Sequence, residues 1–252
     1  MRKLIPICVI GACAVLSSVS APSATPAADN IDAETIVQKA DQVRFPTEAF
    51  EAAVTIESMV DGEATEARKY RILSKGSENT IVMVTEPAAE RGQIMLMKGH
   101  DLWVFLPNVS QPVRLSLSQR LTGQVANGDL ARVNFANDYN AKLDRSENID
   151  GEAMFVFELL ARDRNTTYHK VLYWVRKSNN WPYKAEFYSL SDRLLKTAEY
   201  EDFKPIAGRV RPTKLVMKDA LRHDQSILTY TEIKPRDLAD RIFTKDYLKR
   251  LE

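Results

Sequence analysis

Three histidines, His100, His169 and His223, are the side chains best suited to hold a metal or move a proton near neutral pH. They are scattered, and no two stand at helical spacing. A metal centre needs several ligands close together, so the expectation is three surface or partly buried histidines and no metal. Glu199, Glu201 and Asp202 are close enough in sequence to raise paired-carboxylate chemistry at a glycosidic bond. Acids alternating along a strand are more simply its solvated face. Arg162-Asp163-Arg164 reads in the same way, as the charge cluster of a turn. None of GxSxG, HExxH, the P-loop or GxGxxG occurs. These residue types point to a chain that is not an enzyme, with no catalytic residue and no cofactor.

Cys8 and Cys13 are the only cysteines, and both fall in a leader. Arg2 and Lys3 form its basic head, Leu4 to Leu16 is almost wholly apolar, and a small, Pro-rich stretch follows, SSVSAPSATPAADN. This is the pattern of a secretory signal. Its apolar run is short of the ~20 residues that a membrane span needs. Residues 1–28 are expected to be signal peptide and spacer, and 29–252 the exported domain. Ile10-Gly11-Ala12-Cys13 offers an alternative, a weak lipobox that would leave Cys13 lipidated. The mature chain has no thiol for a disulfide, a metal or a nucleophile, so its stability must come from its core. The 35 Lys and Arg nearly balance the 34 Asp and Glu. That balance argues against nucleic acid, which needs a basic face, and against general attraction to anionic lipid.

The elements that must position any site follow from periodicity. Asn30 or Asp32 can cap a helix to about Arg44, with Ile31, Ile36, Val37, Ala40 and Val43 near helical spacing. From Phe50 the period becomes two. Phe50, Ala52, Val54, Ile56, Ser58 and Val60 share one face, and Asp61-Gly62 marks a hairpin turn. Thr65 to Ser74 returns. Thr80–Thr85, Ile94–Met97 and Leu102–Leu106 are apolar on both faces and must be covered twice. Residues 107–138 show no clean period and read as a short helix with loops over the sheet. Alternation resumes in strands at 139–146, 153–162, 167–176, 183–190, 194–203, 209–218 and 225–233, and Thr244–Leu251 reads as a short helix. The fold class is mainly β (α+β), an antiparallel meander of about ten or eleven strands, long enough to curl into a barrel or half-barrel.

Met83, Met95, Met97, Trp103 and Phe105 crowd the two-faced strands. They could fill a dry core or line an apolar cavity, since Met adapts to varied apolar partners. One stretch decides how this is read: Arg91-Gly92, Met95-Leu96, Asp101-Leu102-Trp103-Val104-Phe105-Leu106-Pro107, Gln111-Pro112-Val113-Arg114 and Ser118-Gln119-Arg120-Leu121-Thr122-Gly123. Together they resemble the signature block of the LolA-like family, the outer-membrane lipoprotein-sorting proteins, in its longer branch. The later WPYKAEFYSLSDRLLKTAEYEDF and GRVRPTKLVMKD resemble that family's second half.

The resemblance implies an unclosed antiparallel β-barrel with helices as a lid, and a periplasmic carrier of lipoprotein acyl chains or another lipid. It implies Phe50, Val54, Ile56, Met83, Met95, Met97, Trp103 and Phe105 as cavity lining. It assigns Arg91, Pro107, Arg114, Gln119, Arg120 and Gly123 to the lid and mouth, where Arg114 and Arg120 would touch a lipid head group or a partner, or hold the lid loop by ion pairs. The implied partners are an inner-membrane ABC or RND (MMPL) transporter and an outer-membrane acceptor. The alternative is a non-carrier accessory subunit of such a transporter.

Overall fold

The computed structural model describes residues 31–132 and 134–248. The leader, the lipidation alternative at Cys13 and the last residues of the expected C-terminal helix lie outside them. Asp32 caps the first helix, α1 (Ala33–Arg44), by accepting from the Thr35 N–H at 3.0 Å. Phe45 leaves the helix in an extended conformation, immediately before Pro46. The buried stripe of α1 is Ala33, Val37, Ala40 and Arg44, at spacings of one and two turns. Val37 and Ala40 are as expected, whereas Ile31, Ile36 and Val43 are only half-buried and an arginine completes the stripe.

The strands are β1 (Phe50–Val60), β2 (Glu63–Lys75), β3 (Asn79–Glu86), β4 (Ile94–Lys98), β5 (Asp101–Phe105), β6 (Val113–Leu115), β7 (Arg120–Thr122), β8 (Val125–Ala126), β9 (Tyr139–Ile149), β10 (Glu152–Ala161), β11 (Lys170–Arg176), β12 (Pro182–Tyr188), β13 (Leu194–Ile206), β14 (Arg209–Asp219) and β15 (Gln225–Pro235). Among the described residues three further short α-helices, α2 (Asn127–Ala131), α3 (Phe135–Asp138) and α4 (Lys245–Leu248), and two single 3-10 turns, Ala88–Glu90 and Asp240–Ile242, complete the order. Thirteen strands form one open antiparallel sheet in the order β6-β5-β4-β3-β2-β1-β15-β14-β13-β12-β11-β10-β9, and β7 and β8 pair apart. The open antiparallel architecture is as expected. Fifteen strands stand among the described residues against the ten or eleven expected, and edge strand β6 and the β7–β8 pair, from the stretch without a period, account for three of the excess.

The sheet has an inner face under the helices and an outer face. Phe50, Ala52, Val54 and Ile56 of β1 continue into Tyr70 and Ile72, then Val82 and Val84, then Met95 and Met97, then Leu102, all in one buried cluster with Val37 and Ala40 of α1. A register shift between Ser58 and Met59 turns Val60 out to solvent. Phe157, Tyr173, Phe187, Tyr200 and Tyr230 extend the same inner face across β10 to β15. Leu73, Ile81, Ile94 and Leu96 point the other way and are covered by Leu238, Phe243 and Leu248 of the C-terminal segment. The strands that are apolar on both faces are thus covered twice, by the helical layer inside and the chain's end outside.

Candidate functional site

Residues 116–132 and 134–138 lie across the inner face as a lid, and polar contacts fasten them to the sheet at three places. The first is Gly123. A Cβ there would stand 2.3 Å from the hydroxyls of both Ser58 and Ser226, and its φ of +49° is left-handed. Beside it the Gln124 N–H donates to Ser226 at 2.9 Å, and the Thr122 hydroxyl donates to Glu66 at 2.8 Å. Gly123→Ala is expected to destabilise the chain by about 2–3 kcal/mol through overpacking and strain. Limited proteolysis should then cut within 115–131 well before the sheet; unchanged cleavage there would refute this anchor.

The second fastening is Asp129 of α2. It is 6% exposed, accepts the Lys196 ammonium at 2.8 Å and the Tyr168 hydroxyl at 2.7 Å, and takes the Ala126 N–H at 2.8 Å. Lys196 comes from β13, is 8% exposed, and also donates to the Gln124 carbonyl. The third is Arg132, 2% exposed. It donates to Asp138 of α3, to Glu78, and to the carbonyls of Ser77 and Gly99 in two hairpin turns. His100 reaches the same Asp138 at 3.2 Å.

The lid also ties to α1, where Asp41 accepts the Ala136 N–H at 2.8 Å and the Arg44 guanidinium at 2.9 Å. Burial pushes the Asp41 carboxyl up to about 6, against the opposing pull of Arg44 and the Ala136 N–H. A carboxyl raised in the folded state contributes stability that is present below its unfolded value near 3.8 and lost as pH rises through about 6. The urea midpoint should therefore gain on acidification from pH 6 toward 4, and Asp41→Asn should abolish that gain. An unchanged profile in Asp41→Asn would sink the assignment.

Space under the lid is small. A cleft of about 270 Å³ lies between the C-terminal end of α1, the lid and the β1–β3 wall, lined by Asp41, Phe45, Phe50, Ile72, Thr80 and Asn134 among others. A void of about 20 Å³ sits beside Arg44, Tyr200 and Tyr230. Elsewhere the inner face is filled by lid and helix side chains such as Phe135, which meets Tyr139 and Tyr173 edge-on at 5.6 and 5.1 Å. Burial raises the hydroxyl pKa of Tyr139, Tyr168, Tyr173, Tyr200 and Tyr230, so all five stay neutral donors. A separate cleft of about 620 Å³ opens at the Gly123 side, lined by Arg120, Arg222 and His223 among others.

The expected lining residues divide between two faces. Phe50, Val54, Ile56, Met95 and Met97 are buried under the lid, and Phe50 borders the 270 Å³ cleft. Met83, Trp103 and Phe105 are on the outer face, packed against the C-terminal segment, with the Lys245 ammonium 3.9 Å from the Trp103 ring. The pairings Met83↔Ile94, Leu96↔Trp103 and Ile94↔Phe105 explain the correction: Met83 alternates with inward Val82 and Val84, Trp103 with inward Leu102 and Val104, and Phe105 with inward Val104, so the three stand on the face opposite the lining.

Of the motif residues, Gln119 and Gly123 are in the lid, where the Gln119 carbonyl accepts the Asn127 N–H at 2.9 Å. Arg120 is exposed and faces the 620 Å³ cleft. Arg91 donates to the Thr85 carbonyl, and a Cβ on neighbouring Gly92 would come 3.1 Å from Pro107, so the two loops touch. Arg114 pairs with Asp101 on an exposed edge strand. His169 is exposed, and His223 borders the outer cleft. Glu199 and Glu201 pair with Lys218 and Lys214 across strands. Among the described residues no three His, Cys, Asp or Glu side chains cluster as metal ligands.

Sequence reasoning missed Arg44, Asp129, Arg132, Lys196 and the inner tyrosines Tyr139, Tyr168, Tyr173, Tyr200 and Tyr230, though it placed Tyr70 inward. Arg44 carried a signal, since it falls one turn after Ala40 on the buried stripe of α1.

A family model described as that of an uncharacterized protein matches residues 76–250. The chain is similar to the solved structure of a LolA superfamily protein from Nitrosomonas europaea, at 58% identity over 86% of this chain and 99% of that one, with a TM-score of 0.83. Two more distant structures share the fold at a TM-score of 0.75. One, from Vibrio parahaemolyticus, is of an outer membrane lipoprotein-sorting type, 22% identical over 86% of this chain and 98% of that one. The other, from Desulfovibrio piger, is of the DUF1329 family, 20% identical over 86% of this chain and 97% of that one. No curated protein matches the chain.

Proposed function

This chain belongs to the LolA superfamily, and we propose that it is a periplasmic carrier taking acyl chains of a lipoprotein, or of another lipid, onto the inner face of its sheet. One observation carries the reading. Among the described residues, an inner wall that is apolar across most of thirteen strands is covered by α1 and by a lid that carries the small β7–β8 pair and is held at a few polar points. Each methylene moved from water to such a wall is worth about 0.8 kcal/mol. An acyl chain can therefore compete with the lid's own apolar contacts, and the polar fastenings set how readily the lid yields. The filled interior is the closed form of this device, with the 270 Å³ cleft as the place where a chain begins to enter. An inner-membrane ABC or RND (MMPL) transporter would supply the cargo, and an outer-membrane acceptor would receive it.

The protein purified from the envelope and extracted with organic solvent should release lipid visible by mass spectrometry. The delipidated protein should bind a fluorescent fatty acid that unlabelled lipid displaces. No recovered lipid together with no displaceable binding would refute the carrier. A second reading, an accessory subunit of the transporter that binds no lipid, draws on the filled interior. The inner cleft of about 270 Å³ falls just below the ~300–1,000 Å³ of ligand sites. Co-purification with a transporter in the absence of any bound lipid would favour it.

A further inference from the structure

Among the described residues, Arg44 Nε and Asn134 Nδ2 are buried on the inner side without an acceptor, and the Tyr173 hydroxyl, which lies against the Arg44 guanidinium, has no acceptor for its own proton. All three can donate a hydrogen bond. A wall meant only for hydrocarbon has no use for spare donors, because each costs free energy while it stays unmade.

The donors gather most closely at Arg44. Its guanidinium carbon is 4.1 Å from the centre of the Phe135 ring and 5.6 Å from that of Tyr200. The Tyr173 ring lies 5.1 Å from Phe135 and 6.3 Å from Tyr200, which makes it a third wall of the same cage. Arg44 is 7% exposed and cannot shed its charge. Its one carboxylate partner, Asp41, also serves the Ala136 N–H. Next to the guanidinium is the 20 Å³ void, room for a single water. Phe45 lines both that void and the 270 Å³ cleft, so one side chain stands between the cage and the opening.

We propose that Arg44 and Tyr173 form an anchor for the oxygen end of an acyl ligand: the carboxylate of a fatty acid, or the ester or amide carbonyl of a bound chain. The site rests on the carrier reading and deepens it, from a wall that holds hydrocarbon to one that registers the chain by its head. The ligand's oxygen takes the Arg44 Nε–H and the Tyr173 hydroxyl, and its hydrocarbon runs along the inner face toward Phe50 and Ile72.

The test uses the full mature chain, delipidated, and three C18 probes of one chain length: the fatty acid, its methyl ester and the hydrocarbon. A charge-assisted hydrogen bond should make an oxygen-bearing probe bind about tenfold tighter than the hydrocarbon. Arg44→Gln should bring that ratio close to one, and Tyr173→Phe should lower it by a few-fold. Acid bound tighter than ester assigns the free carboxylate, and the reverse assigns an esterified or amide-linked chain. Should Arg44→Gln fail to fold, Tyr173→Phe and an isotope-labelled carboxyl probe on the unaltered protein give the same answer, because the bound carboxylate should titrate about one pH unit or more below the free acid. Equal binding of all three probes with an unshifted carboxyl overturns the anchor and leaves the carrier standing. Binding of none overturns both.

Discussion

Arg132→Met is expected to destabilise the folded chain by about 3–5 kcal/mol, the cost of removing one partner from a buried, hydrogen-bonded ion pair. Arg132 gathers the lid's C-terminal end and two hairpin turns into one knot, through Asp138, Glu78 and the carbonyls of Ser77 and Gly99. Its loss leaves the Asp138 carboxylate, 5% exposed, with only His100 as a side-chain partner. It also strips a donor from two carbonyls. The urea midpoint should fall at an unchanged m-value. Arg132→Met with Asp138→Asn should cost clearly less than the two single changes added together. Additive losses, or a single loss below about 1 kcal/mol, would show that the knot is not a unit.

Lys196→Met should have a comparable cost and a different consequence. Lys196 reaches from β13 into the lid, 5.1 Å from the Tyr168 ring centre, and it neutralises Asp129 where almost no water reaches. Removing the ammonium leaves a buried carboxylate with the Tyr168 hydroxyl and one backbone N–H, at about 3–5 kcal/mol. The loss should concentrate in the lid. Hydrogen exchange should quicken across 116–131 while β10 to β14 keep their protection, and a fluorescent fatty acid should enter faster. Uniform loosening of the whole chain would mean that this pair holds the fold rather than the lid.

How much of this was legible beforehand varies along the chain. From Tyr139 to Pro235 the alternation is clean and the turns are marked by pairs such as Asp150-Gly151 and Ala207-Gly208, so all seven strands stand within a few residues of expectation. β3 to β5 were found as strands, but not their faces. When both faces are apolar, alternation has no sign, and only the C-terminal segment against Leu96 and Trp103 tells outside from inside. The lid was legible only as irregular, because polar contacts to distant strands shape it, as at Gly123, Asp129 and Arg132, and none of these has a period. Arg44 was passed over because a charge is read as facing water, whereas here aromatic rings and Asp41 receive it.

The place of β1 in the sheet bears on how the molecule forms. β1 to β6 are one run of neighbouring hairpins and β9 to β15 another, and the two runs join only where β1 pairs with β15. Each run can zip by short loop closures, but the seam, from Phe50↔Pro235 to Met59↔Gln225, must wait for the last strand of the chain. Until it closes, two strand edges and the whole inner wall face solvent, an open template for other chains. Assembly should therefore be slow and limited by this one long-range pairing, and the unsealed half-sheets are the species that most needs protection from aggregation.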